Sequence, residues 1–251
     1  MDGDGSPDCI AVEPLLFGSS NPVVNAYSGK DGTTIHALSF PQGPNGLGLA
    51  IGAGADYTGD GVPDILLGSP GANAPPAIGL PSSPFGGVYI YSGKTGQFAR
   101  ARLGNGVIGF GTQIWCMPDV NSDGIADYAV LVGGPAAAGL ASVQVLSGSD
   151  DALLTSVSAL QAFDGFGLSF EVFDDFTGDG IPDFAMGAPY HQANGIFPGI
   201  IRFFSGASGA EYAPIVGVND ADVVGLAIAS LGDSDGNSNV TVRPYTPVPS
   251  A

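Results

Sequence analysis

Positive charge is scarce in this chain. Its 251 residues carry six Lys and Arg against 24 Asp and Glu, a formal net charge of −18. There is no basic footprint for nucleic acid and none for an anionic membrane surface. Cysteine is nearly absent. Cys9 and Cys116 match neither a zinc nor a redox spacing and read as buried free thiols acting as small apolar side chains. No apolar run is long enough to span a bilayer. The closest, 128–143, is broken by Gly133, Gly134, Pro135 and Gly139. No secretory signal pattern is visible, because Met1 runs straight into acidic turn residues. The start therefore reads as a boundary within a longer chain. Helical periodicity is missing too. Thr155 to Phe163 is the one stretch that could make a helical turn, and it sits where a strand belongs.

Glycine and proline are abundant, at 41 and 20 residues. With ordinary apolar content they favour many short strands joined by turns. The acid is localised: 14 of the 24 acidic residues fall in five loops, so a uniformly acidic, halophile-type surface is the weaker explanation. The clearest loop runs Asp175-Phe176-Thr177-Gly178-Asp179-Gly180-Ile181-Pro182-Asp183. Oxygen-bearing side chains stand at positions one, three, five and nine, with Gly at six where the chain turns sharply. Aspartates packed this densely repel one another unless a hard cation with six to eight oxygen ligands neutralises them.

The phrase recurs. Asp56, Thr58, Asp60 and Asp64 form a second copy, and Asp119, Asn121, Asp123 and Asp127 a third. The carbonyls of Val62, Ile125 and Ile181, at position seven, complete each cage. A turn without metal does not need four converging oxygen donors. No His or Cys is present in the loops, and Mg²⁺ demands stricter octahedral geometry, so Ca²⁺ is the expected ion. Partial copies lie at both ends. Asp2, Asp4, Ser6 and Asp8 fill positions three, five, seven and nine near the start. Asp233, Asp235 and Asn237 fill one, three and five near the end.

The loops punctuate a repeat. They begin at Asp56, Asp119, Asp175 and Asp233, giving periods of 63, 56 and 58 residues. After each loop comes an apolar run with a small-residue/Pro turn, such as Ile65 to Pro70. A variable stretch follows, then a run ending in Ser-Gly, such as Val88 to Gly93, then a shorter run such as Phe98 to Leu103. A Gly-rich strand leads into the next loop. Four short strands per period describe one propeller blade. The expected layout is repeats near 1–55, 56–118, 119–174 and 175–232 within a domain of 1–244, with 224–244 closing the ring or starting another blade. A Pro-rich tail, 245–251, follows.

Phe110-Gly111, Phe166-Gly167 and Gly187-Ala188-Pro189, with calcium-type loops between them, resemble FG-GAP repeats, the units of the integrin α β-propeller. Related repeats occur in many bacterial surface and secreted proteins. The resemblance covers about residues 1–240. Leu47-Gly48 and Val224-Gly225 depart from Phe-Gly, and Gly68-Ser69-Pro70 and Gly133-Gly134-Pro135 from Gly-Ala-Pro. It implies an all-β propeller of about four four-stranded blades, about three to four structural Ca²⁺ ions, and an extracellular or cell-surface location.

The first repeat lacks its innermost strand, and Val224 to Leu231 is such a strand left over. Docking it on the first repeat would close the ring and remove two sheet edges. Asp233 would then supply the first ligand of a split site with Asp2, Asp4, Ser6 and Asp8. The competing reading is a piece of a longer propeller, or blades from several chains.

Nothing in the sequence builds a catalytic site, so no enzyme is expected. His36 lies in a presumed strand and reads as structural. His191, beside Tyr190 in the loop to Phe197, is the better binding candidate. No nucleophile elbow or P-loop is present, and the carboxylate spacing is explained by calcium, leaving no acid/base pair spare. Trp115 reads as core, and Arg100 and Arg102 as an exposed charged pair. The leading expectation is a calcium-stabilised extracellular adhesion or protein-binding module with no nucleic-acid partner and no membrane insertion. Self-association as a subunit of a surface or filamentous assembly is one alternative. A lectin is the other, although Phe85, Tyr190 and Phe197 stand at unmatched offsets. The Ala/Pro-rich loop from Gly71 to Gly87 is a further candidate partner surface.

Overall fold

Short apolar runs bounded by Gly and Pro can bury both faces only as strands sandwiched between layers. That is the architecture here. The structure, a computed structural model, describes residues 3–13, 23–39, 50–70, 83–106, 108–133 and 140–230. Sheet 1 holds β1 (Cys9–Glu13), β2 (Val23–Tyr27) and β3 (Thr34–Ser39). Sheet 2 holds β4 (Ala50–Ala53), β5 (Ile65–Ser69), β6 (Gly87–Tyr91) and β7 (Phe98–Leu103). Sheet 3 holds β8 (Ile114–Cys116), β9 (Tyr128–Val132), β10 (Ser142–Leu146) and β11 (Leu153–Ser158). Sheet 4 holds β12 (Ser169–Phe173), β13 (Asp183–Ala188), β14 (Ile200–Phe204) and β15 (Glu211–Val216).

Within each sheet the strands are antiparallel and lie side by side in chain order, the meander of a propeller blade. Each complete acidic loop joins the first two strands of a sheet. A repeat counted from the loops is therefore one strand out of phase with the sheet. The next-to-last strand of every sheet carries a bulge, at Ala26/Tyr27, Ile90/Tyr91, Val145/Leu146 and Ile201/Phe203. Such a bulge increases local twist as the chain turns at Ser-Gly. Leu153–Ser158 is strand, so the helical alternative for Thr155 to Phe163 fails. Paired on β10, Val157 buries in the core, which a helical turn there would not allow.

The cores lie between sheets. On β9, Tyr128, Val130 and Val132 face sheet 2, while Ala129 and Leu131 face sheet 4. On β5, Ile65 and Leu67 face sheet 1, and Leu66 faces sheet 3. Burying each such aliphatic side chain contributes roughly 1.5–3 kcal/mol, and Leu131→Ala would cost roughly 2–5 kcal/mol. Three clusters join sheets 1 to 2, 2 to 3 and 3 to 4; among the described residues none joins sheet 4 to sheet 1.

After β15 the chain returns across sheet 4. Val224 bridges Gly199 in parallel, as Phe110 bridges Gly86. Gly225 lies so close to Gly187 that a Cβ on Gly187 would overlap its carbonyl, as one on Gly68 would overlap that of Gly111. Val224-Gly225 is thus the structural equivalent of Phe110-Gly111. The segment stays on sheet 4 as far as Ser230, whose amide donates to Glu171 at 2.9 Å. Among the described residues it does not pair with β1; Leu231 onward, the tail included, lies outside them.

Candidate metal centres

Each complete loop is a turn wrapped around its first aspartate. One oxygen of Asp56 accepts from the amides of Thr58, Gly59 and Asp60 at 2.7–3.2 Å, and the other from Gly61 at 2.7 Å. Asp175 accepts in the same way from Gly178, Asp179 and Gly180. Asp119 accepts from Asp123 and Gly124. Positions four and six are left-handed, which suits Gly59, Gly61, Gly178 and Gly180; Ser122 takes φ 62° at position four without that freedom.

Positions five and nine tie the loop to the strand behind it. At position five, Asp60, Asp123 and Asp179 accept from the hydroxyls of Ser92, Ser147 and Ser205. At position nine, Asp64, Asp127 and Asp183 are fully buried. Asp64 accepts from the amides of Tyr57, Thr58 and Gly93, and Asp183 from Phe176, Thr177 and Gly206. Asp127 takes Val120 and Gly148. The Ser-Gly of each turn is therefore part of the site, with Ser holding position five and the Gly amide holding position nine. Sequence reading saw Ser-Gly recur but gave it no role; its fixed place after each loop was the available signal.

Two loops gather three carboxylates with oxygens within 4.8 Å of one another: Asp56, Asp60 and Asp64, and Asp175, Asp179 and Asp183. Clusters of this kind can hold a metal ion, and all their donors are oxygen. Asp119, Asp123 and Asp127 are not gathered so closely among the described residues. In that loop the Asn121 amide donates to Asp123 at 3.0 Å, and the Ser149 hydroxyl does so at 2.7 Å. Thr58 and Thr177 bring their hydroxyls to Asp64 and Asp175. In the N-terminal loop Asp4 accepts from Ser6 at 2.7 Å, and Asp8 from Gly29 at 3.3 Å, repeating the position-nine link. Asp2 and Asp233, and with them the split site, lie outside the described residues.

Electrostatics divide the carboxylates by position. Burial pushes Asp127 and Asp183 up, against the amides that favour their charged forms. Burial also works to raise Asp56, but the amides of Gly61, Gly59, Asp60 and Thr58 hold it below its usual value. The Gly180 amide lowers Asp175, and the Ser149 hydroxyl lowers Asp123.

Other candidates fall elsewhere. His36 holds the Gly93 carbonyl at 2.9 Å and links sheet 1 to sheet 2, a structural place. His191 is 9% exposed, and its Nδ1 has no hydrogen-bond partner. Tyr190 and Phe197 are half-exposed. Trp115 stacks on Phe170 at 4.7 Å. Arg100 departs from expectation: it reaches across to sheet 3, bonding Asp151 at 3.1 Å and the carbonyls of Tyr57 and Gly148. Arg102 is exposed. Both cysteines are free, but Cys9 is exposed, because its side of β1 joins no core among the described residues, whereas Ile10 and Val12 pack toward sheet 2. Most of the loop from Gly71 lies outside the described residues.

Four-stranded antiparallel sheets stacked in series, with an acidic loop between first and second strands, define a β-propeller. The FG-GAP repeat family model matches residues 47–91. Phosphatidylinositol-glycan-specific phospholipase D of Bos taurus is 28% identical over 219 residues, covering 79% of this chain and 25% of that protein. Integrin alpha-2 of Bos taurus is 34% identical over 107 residues, 36% of this chain and 8% of that protein. Among solved structures, rhamnogalacturonan lyase PL11 of Bacillus licheniformis gives a TM-score of 0.43 at 14% identity, covering 80% of this chain and 43% of that one. Rhamnogalacturonan lyase YesW gives 0.44 at 13% identity, with the same coverage. The chain spans a quarter or less of the two curated relatives and under half of the lyases. Over residues 47–91 it matches an FG-GAP repeat, and over 36% of its length it is similar to integrin alpha-2.

No helix among the described residues is long and apolar enough to cross a membrane.

Proposed function

We propose that this chain is a non-catalytic, calcium-binding β-propeller serving outside the cell as a protein-binding or adhesion module. The gathering of three carboxylates within 4.8 Å in two separate loops carries the reading. Each of these loops is stiffened by its own amides before any ion arrives. Asp56, Thr58, Asp60 and Asp64, with the Val62 carbonyl, would hold one Ca²⁺. Asp175, Thr177, Asp179 and Asp183, with the Ile181 carbonyl, would hold another, and the loop from Asp119 to Asp127 a third. The ion neutralises like charge and stabilises the folded state, which alone presents the site. Extracellular calcium suffices for sites of roughly 10⁻⁴–10⁻³ M affinity. The carboxylates of these loops are committed to backbone amides, which disfavours them as an acid/base pair. The activities in the relatives' names belong to proteins of which this chain spans a minor part.

Thermal unfolding in excess EGTA and in millimolar Ca²⁺ tests the proposal. In millimolar Ca²⁺ a site of that affinity sits at about one to ten times its Kd and contributes about 0.4–1.4 kcal/mol, and each kcal/mol moves Tm by about 2–4 °C at this size. Two such sites raise Tm by roughly 2–11 °C on those figures. Equal melting in both buffers would refute calcium binding. A carbohydrate ligand is the second reading. It is favoured by half-exposed Tyr190 and Phe197 near the unpartnered His191 Nδ1, and glycan-array binding lost in Tyr190→Ala checks it.

A further inference from the structure

We propose that the loops 159–165, 189–199 and 217–224 form one binding platform for an uncharged saccharide, with Phe163 as its principal stacking ring. The proposal rests on the carbohydrate reading above and adds to it a residue and the charge of the ligand. Alternate connections of an antiparallel meander share an end, so these loops stand together at the end of sheets 3 and 4 opposite the acidic loops. Hydrogen bonds knit them. The Tyr190 amide donates to the Asp164 carbonyl at 2.9 Å. The Gln161 side chain pairs with the backbone of Gln192 through two bonds, at 2.7 and 3.0 Å. The Phe197 amide donates to Asp220 at 2.9 Å, and the Ala221 amide to the Phe197 carbonyl at 3.1 Å. A Cβ on Gly165 would lie 3.0 Å from Tyr190 Cδ2, so the ring of Tyr190 lies against the loop that carries Phe163.

Phe163 is the residue that the fold does not explain. It takes φ 62° and is 60% exposed. A bulky residue is strained in left-handed backbone, and an exposed ring gains nothing from burial. The turn itself asks for no ring. Ala221 stands three residues before Val224-Gly225, as Phe163 stands three before Phe166-Gly167, and it makes the turn with the same φ of 62°. Strain held where a small residue would serve the fold points to a ligand. The polar groups beside it are neutral or acidic. His191 Nδ1 is the one buried side-chain nitrogen or oxygen among the described residues that has no hydrogen bond. A buried N–H without an acceptor is rarer than a bare lone pair, so the neutral ring carries its proton on Nε2, as a donor. Gln192 and Asn194 are exposed amides. None of residues 159–168, 189–199 and 217–230 is Lys or Arg. Sugar hydroxyls can accept from the imidazole and the amides and donate to Asp220, while the sugar's apolar face covers an aromatic ring. A uronate or sialate would meet Asp220 with no cation to offset the repulsion.

Calorimetric titration of the unaltered chain tests this, with neutral hexaoses (cellohexaose, maltohexaose, mannohexaose and chitohexaose) set against acidic sugars (oligogalacturonate and sialyllactose). At least one neutral sugar should bind, about tenfold or more tighter than either acidic one. Phe163→Ala should weaken that binding about tenfold or more. The same variant should leave Tm unchanged or raise it, because Ala221 already makes this turn without a ring and the strain is relieved. Binding that survives Phe163→Ala, a lower Tm in that variant, or a preference for the acidic sugars overturns the proposal and leaves the carbohydrate reading standing. If neither the neutral nor the acidic sugars bind, both fall.

Discussion

At the turn between β10 and β11, Gly148 sits under the Ala126 carbonyl, and a Cβ there would overlap it. Its amide meanwhile donates to Asp127. Gly148→Ala should therefore destabilise by about 3 kcal/mol, the upper range for overpacking, read as a lower urea midpoint. Position nine pins the loop as well as offering a metal donor, whereas position five chiefly offers a donor, and asparagine separates the two roles. Asp127→Asn turns one carboxylate oxygen into a donor facing an amide, so it should cost about 2 kcal/mol with or without calcium. Asp60→Asn should lose most of its effect in EGTA. Titration carries a sign. Asp127 and Asp183 are raised when folded, so their contribution is present below their ordinary value and lost as pH rises through the folded one. Asp56, Asp123 and Asp175 are lowered, and theirs is lost only as pH falls below that value. Calcium-free protein should gain Tm as pH falls through the raised values of Asp127 and Asp183 and lose it as pH falls further, through the lowered values of Asp56, Asp123 and Asp175. The gathering of carboxylates in two of the loops was legible in the spacing of their aspartates. The pinning role of Ser-Gly was not, because Ser147 and Gly148 meet Asp123 and Asp127 only across a folded turn.

Strands were legible where both faces are covered, since β5, β6 and β9 are apolar throughout and entirely buried. The fourth strands are half wet, which is why β11, with Leu153 and Leu154 exposed, also suggested a helical turn. Latches between sheets were illegible, because their cross-sheet bonds join residues 43 to 51 positions apart. Arg100 is one. Arg202, 5% exposed, is another: it holds Glu211 through two bonds and the Ser158 carbonyl through a third, and lies over Phe166 and Phe204. Arg202→Ala should cost roughly 3 kcal/mol, as for breaking a buried pair. Glu211→Ala strands the buried guanidinium and should cost a comparable amount. Chemical denaturation of both variants and of the double variant measures the coupling, which vanishes if the pair is incidental.

Among the described residues, sheets 2 and 3 carry a core on each face, whereas sheets 1 and 4 carry one. Stability in stacked repeats is a sum of units and nearest-neighbour contacts. Hydrogen exchange should therefore release β1 to β3 first, with β5, β6 and β9 last. Equal protection throughout would show that the cores act as one unit. The position-two residues have a mechanical meaning as well. Tyr57 and Val120 belong to acidic loops and also fill the joint with the following sheet. A chain pulled from its ends would yield joint by joint, and the tension each joint bears would be set by how firmly its loop is held. An acidic loop at two of the three joints makes the row of sheets a strap whose stiffness the surrounding solution can tune.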